Sequence, residues 1–176
     1  LVGSMLGDGR LVRRPNATHY QENHEVSQKD YLLWKVSIWG AWAKSGVKPV
    51  NWKKEGQTYP GFRFHTCGHP SLNPWQEMFY DSHHRGWKRL VPEVVDLVDE
   101  FALAVWYMDD GTTSWWPDIT FGMDTKSRHV AWSIFEKFGL CPEWEPRVGK
   151  TGHFHFGRNH EETAHRFIDL VSPHIP

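Results

Sequence analysis

Two stretches of the chain share one pattern, an apolar run of helical character that ends in an acid and a glycine. The first is "LVGSMLGDG", Leu1 to Gly9, and the second is "LAVWYMDDG", Leu103 to Gly111. Overlaid, Asp110 falls on Asp8 and Gly111 on Gly9, so the two acids stand 102 positions apart. A helix C-terminus carries partial negative charge, which makes a carboxylate there electrostatically unfavourable. One Asp-Gly pair is a common terminator, because Asp tolerates the turn. Two of them in matching frames point to a shared use of the acids.

The segments after the two acids also repeat one order. "LVRRPNATHYQENHEV" is extended and broken at Pro15-Asn16, which predicts a hairpin. "SQKDYLLWKVSIWGAWAKSG" sets Leu32, Val36, Trp39 and Ala43 at helical spacing, with Ser27 as N-cap and Gly46 as C-cap. "KPVNWKKE" and "YPGFRFHT" predict strands about a Gly56-Gln57 turn, and "HPSLNPWQEMFYDSH" a closing helix. In the second half, "TTSWWPDITFGMD" predicts a hairpin turning at Pro117-Asp118, and "TKSRHVAWSIFEKFG" a helix ending at Gly139. "EWEPRVGKTGHFHFGR" predicts a hairpin turning between Gly149 and Gly152. "NHEETAHRFIDLVSPHI" predicts a helix opened by Asn159 and Glu162 at capping-box spacing. The fold class is α+β, built as a pseudo-two-fold pair of αββαββα units. The division is residues 1–91, including a linker, and residues 92–176, with one short helix after Pro92.

Composition narrows the class. A chain of 176 residues suffices for one compact domain or two small halves. No apolar run approaches the ~20 residues of a membrane span. Cys67 and Cys141 form no CxxC pair, which speaks against a disulfide framework or zinc ribbon and fits an intracellular setting, cytoplasmic in a prokaryote or phage. The chain starts without Met and reads as a piece of something longer. The net charge is −1, but residues 1–63 carry ten Lys or Arg against five acids. A basic face on a neutral protein can track phosphates. The "HTCGH" stretch suits a zinc site poorly, since no fourth ligand lies nearby.

If the two apolar helices pack side by side, both carboxylates leave from the same end. Gly3 and Gly7 lie four residues apart on one face and allow a close approach, with Val105 and Asp109 in the matching places. Two helix dipoles and two acids make a negative spot that calls for a hard divalent cation with oxygen ligands. Such ions can activate water and stabilise the leaving oxygen of a phosphodiester. Two symmetric acids would serve one scissile bond on each strand of a duplex.

These residues resemble the LAGLIDADG homing endonucleases. "LVGSMLGDG" and "LAVWYMDDG" look like the paired signature helices of a single-chain member, and the resemblance covers essentially the whole chain. It is similar in particular to endonuclease domains found in inteins and group I introns. The resemblance implies two antiparallel four-stranded sheets forming a DNA-binding saddle. It implies that Asp8 and Asp110 bind catalytic Mg2+, with Mn2+ or Ca2+ as substitutes and Gly7 and Asp109 beside them. It implies double-strand cleavage of a long target by a monomer, free-standing or embedded in an intein or host protein. Gln28 and Lys126 match the family's polar residues beside the metal, and His65 or Arg158 a further basic one.

Strand alternation marks the groove readers. In the first half they are Arg10, Arg13, Arg14, His19, Gln21, Asn23, Asn51, Lys53 and Arg63. In the second they are Thr120, Arg147, Lys150, His153, His155 and Arg158. Asn and Gln suit adenine and Arg suits guanine, although a slip of one residue reverses a strand's list. A non-cleaving DNA or RNA binder on the same fold, such as a maturase or transcription regulator, is the competing reading. Intact acids in both motifs favour the nuclease.

Overall fold

The computed structural model describes residues 1–80, 88–115, 118–124, 126–149, 151–157 and 161–176. The elements run α1 (Val2–Leu6), β1 (Arg10–Arg13), β2 (Thr18–Glu25), α2 (Lys29–Trp39), β3 (Lys48–Lys54), β4 (Gln57–His65) and α3 (Asn73–Phe79). A 3-10 segment at Pro92–Leu97 leads into α4 (Glu100–Asp110), β5 (Gly111–Trp115), β6 (Asp118–Asp124), α5 (Arg128–Lys137), β7 (Glu143–Pro146), β8 (Thr151–Phe156) and α6 (Glu161–Val171). The order αββαββα therefore occurs twice. The strands form two antiparallel four-stranded sheets, ordered β1-β2-β4-β3 and β5-β6-β8-β7. No helix among the described residues is long and apolar enough to cross a membrane.

Contacts draw two compact units, Asp8–Lys88 and Leu1–Gly7 with Arg89–Ile175. Repeat order sets the division at 91/92; contacts set it at 88/89 and place α1 with the later residues. The reason is local to that unit: α1 packs along α4. A Cβ on Gly3 would stand 2.8 Å from Val105 Cβ and 2.9 Å from Ala102 Cα, so the two backbones meet where a side chain cannot fit. Helix propensity alone favours Gly→Ala by about 1 kcal/mol. Gly3→Ala is nevertheless expected to destabilise by about 1–3 kcal/mol through overpacking, read as a lower Tm.

The core of this unit is aromatic. Trp106 of α4 stacks on Phe135 of α5, with centroids 5.3 Å apart and planes 2° off parallel. Phe121, Phe154, Phe156 and Phe167 close round them, all fully buried. Asp99 starts α4, where its Oδ1 accepts the Ala102 N–H at 2.7 Å. The unit Asp8–Lys88 packs Tyr20 between Trp39 and Phe64 under its own sheet.

Several local expectations need correction. Ser27 does not cap α2; it lies in a 3-10 turn, Val26–Gln28, and Gln28 is the residue before the helix. The helix stops at Gly40, not Gly46, because Gly40 takes φ +51, which a side-chain-bearing residue rarely adopts. The β3–β4 turn is Glu55-Gly56, with φ of 53 and 81, and Gln57 already pairs with Lys54. Two left-handed residues match the twist of a two-residue hairpin. Gly152 is strand rather than turn, opposite Pro146. Pro117 and Asn159 of the expected turn and capping box lie outside the described residues.

Candidate active site

Asp8 follows α1 by two residues, and Asp110 is the last residue of α4; both are exposed. Gly111 is required after Asp110, since a Cβ there would collide with the Tyr107 ring, whose hydroxyl bonds Thr113 Oγ1 at 2.8 Å. Gly7 is buried, and a Cβ on it would come within 2.6 Å of Asp109 Oδ2. Gly7 thus approaches Asp109 closely, a contact between positions that match in the two motif frames. In the other unit, Lys88 Nζ donates to the Gly9 carbonyl at 3.1 Å and pins the turn after Asp8.

Strand β2 supplies the surroundings of Asp8. Its residues alternate between a buried face, Thr18, Tyr20, Glu22 and His24, and a more open face, His19, Gln21 and Asn23. His24 Nδ1 lies 3.8 Å from Asp8 Oδ2 and 3.2 Å from Gln28 Oε1. Its Nε2 donates to Glu22 Oε1 at 2.6 Å. Glu22, 0% exposed, also accepts from Lys35 Nζ and from the Tyr20 hydroxyl. Partial desolvation by the protein around it pushes the Asp8 carboxyl above its ordinary pKa, although its side chain reaches solvent; His24 pulls back, Glu22 adds to the rise, and Lys35 and Lys88 pull back. Burial opposes the His24 imidazolium, but the hydrogen bond and charge of Glu22 outweigh it and raise its pKa. Burial likewise opposes the Glu22 anion, and His24 with Lys35 overcome it, so Glu22 titrates below its ordinary value.

Of the expected catalytic set, Gln28 is brought to His24, and Lys126 is exposed in the turn before α5. Sequence reading missed His24, Glu22, Lys35 and Lys88. The signal was present for two of them: "YQENH" puts Glu22 and His24 in phase with Tyr20, and a strand that buries Tyr20 must bury them.

The groove candidates fall on defined faces. Arg10 pairs with Gln21, Gln21 with His65, and Asn23 with Arg63, whose Nε donates to Asn23 Oδ1 at 2.6 Å; Lys48 continues the row. His19 sits beside His65, with centroids 5.8 Å apart. Burial, then Arg14, His65 and Arg10, lower its pKa. This open face is therefore basic. Arg13 is not on it: it shares the phase of buried Leu11 and pairs with Glu77 of α3 at 3.3 Å. Asn51 and Lys53 alternate off the Arg63 row, which continues through Val50 and Trp52 instead. In the second sheet Thr120, His153 and His155 share one face with Glu143 and Glu145. Glu145 lies 3.0 Å from His155. Arg147 is exposed beyond β7, and Lys150 and Arg158 lie outside the described residues.

Paired acid-ended helices and two four-stranded sheets define a family. The chain belongs to the LAGLIDADG DNA endonuclease family, whose profile matches residues 1–139. It is similar to Protein RecA of Mycolicibacterium flavescens, 35% identical over 114 residues, which are 63% of this chain and 25% of that protein. It is similar to DNA endonuclease I-ChuI of Chlamydomonas applanata, 28% identical over 124 residues, 65% of this chain and 57% of that protein. The chain thus spans 25% of the RecA relative's length and 57% of I-ChuI's. Its fold is like that of the homing endonuclease I-WcaI bound to its DNA recognition sequence, with a TM-score of 0.82 at 20% identity, over 99% of this chain and 80% of that one.

Proposed function

We propose that the protein is a site-specific endonuclease that cuts both strands of a long duplex target and requires Mg2+. The observation that carries this reading is the helix pair α1–α4, with Gly7 set against Asp109 and an acid following each motif. The donors present are carboxylate and backbone oxygens, which suit a hard divalent cation. The raised pKa of Asp8 fits the same role, because desolvation disfavours its anion and a bound cation would offset that cost. Asp8 and Asp110 would hold the ions, with Gly7 and Asp109 beside them. When bound, the ions would lower the pKa of water and offset charge on the leaving oxygen. Gln28 would orient the attacking water at the Asp8 centre, and Lys126 would offset phosphate charge at the Asp110 centre. Each repeat would serve one half of the target, and one chain would suffice.

The two sheets would share the duplex unequally. Arg10, Arg63, Lys48 and Arg14 supply the phosphate-tracking charge, while Glu143 and Glu145 repel phosphate from the second sheet. Arg63→Ala should reduce the slope of log K against log salt by about 1, and Glu145→Gln should tighten binding, both measured by fluorescence anisotropy. The functional test is incubation with a randomised duplex library in Mg2+, with sequencing of the cut ends. A single family of double-strand cuts supports the endonuclease. Duplexes that are bound but never cut would overturn it and indicate a non-cleaving binder.

A further inference from the structure

Glu22 is fully buried on the inner face of β2, where a carboxylate is costly unless every lone pair is used. The matching place in the other sheet is apolar. Glu22 lies opposite Phe64 on β4, and Phe121 lies opposite Phe154 on β8. Two residues on, β2 carries His24 and β6 carries Met123. A fold that fills this place with a phenyl ring in one repeat does not need a glutamate there for packing. What Glu22 adds is fixed geometry. Lys35 and the Tyr20 hydroxyl anchor its carboxylate from the core side. Its Oε1 then receives His24 Nε2 at 2.6 Å, which sets the imidazole's rotation. The opposite ring atom, Nδ1, is thereby aimed at Gln28 Oε1, 3.2 Å away, and at Asp8 Oδ2, 3.8 Å away.

Resting on the endonuclease reading, we propose that Glu22 is a positioning residue which, through His24, holds the Gln28 amide and the Asp8 carboxylate in place for cutting one strand of the duplex. The repeat carrying Asp110 has Phe121 and Met123 at these places and lacks this device there. The two cuts consequently depend on different supports. Groups that orient a ligating or catalytic side chain typically cost 10–100-fold in activity when replaced.

The test uses the full chain and a duplex recovered from the library, labelled on each strand. Single-turnover rates at saturating protein are read for each strand separately. His24→Met copies the residue type of the other repeat. It should slow one strand by about tenfold or more while the other strand's rate and the duplex Kd in Ca2+ stay within about twofold. His24→Asn keeps a polar group on the Nδ1 side and should restore part of the lost rate. A readout without metal or DNA accompanies this. The His24 Nε2 proton, followed by 15N-resolved NMR, should exchange at least about tenfold faster in Glu22→Gln, because Glu22 no longer holds it as a charged acceptor. Equal slowing of both strands, no slowing, or unchanged proton exchange would overturn the proposal. A wild-type protein that cuts no duplex would overturn the endonuclease reading first. A wild type that cuts, with a His24→Met variant that cuts both strands alike, would overturn only the positioning role.

Discussion

Asp8→Asn and Asp110→Asn should each lower cleavage of the selected duplex by at least about a hundredfold, the scale of several kcal/mol of charge stabilisation. Asparagine keeps the size and one oxygen of aspartate but loses the charge that would hold a divalent cation. Because each acid stands at the end of the first helix of a different repeat, each variant should be defective mainly on one strand and leave nicked product. Binding in Ca2+ at low salt should survive, since the basic row Arg10, Arg63 and Lys48 is untouched. Removal of the divalent ion with chelator should abolish both cuts in the wild type. Full double-strand cleavage by either variant would sink the paired-acid site.

The second large effect concerns stability. Lys35→Met should destabilise the protein by about 3–5 kcal/mol, the usual cost of stripping one partner from a buried ion pair. Glu22 would be left with His24 and Tyr20 and no lysine, in a place with no exposure to water. The double variant Glu22→Phe with Lys35→Met should recover most of that loss, because an apolar pair often replaces a buried ion pair at little or no cost. Phe121 already occupies the equivalent place of the other sheet. Urea unfolding followed by tryptophan fluorescence compares the three proteins. A double variant no better than Lys35→Met would show that the network, and not packing, sustains this core.

The same network sets a pH dependence with a defined sign. Glu22 titrates below its ordinary 4.5, so its contribution is present above that value and lost as pH falls through the depressed pKa. His24 titrates above its ordinary 6.5, so its contribution is present below that value and lost as pH rises through the raised pKa. Stability should therefore be greatest between 4.5 and 6.5 and fall on both sides. In Glu22→Phe with Lys35→Met both slopes should flatten.

The order of elements is legible because its signals are local. Gly139 takes φ +65 just past α5, as a helix-ending glycine must. The apolar run of α4 stands out in the sequence even without Asp99 as its cap. The boundaries that differ do so for local reasons of another kind. Gly40 ends α2 six residues before Gly46, because either glycine could adopt the left-handed turn and the periodicity runs through both. Alternation alone puts Asn51 and Lys53 on the open face of β3, yet the register with β4 puts Val50 and Trp52 there. A strand's period of two leaves its phase undetermined until a partner strand sets it.

By itself the sequence determined the two motif frames, the twofold repeat of αββαββα and the acids Asp8 and Asp110 as the residues to test. These come from periodicity, turn chemistry and charge placement, each readable within a few residues. Only the tertiary structure decided that Gly7 meets Asp109, that Lys35 from α2 reaches Glu22 on β2, and that His24 faces both Gln28 and Asp8. Those outcomes join residues that no short stretch of sequence connects. They depend on which face of each element is buried, and the cost of burying a charge is settled only by the partner that packing brings to it.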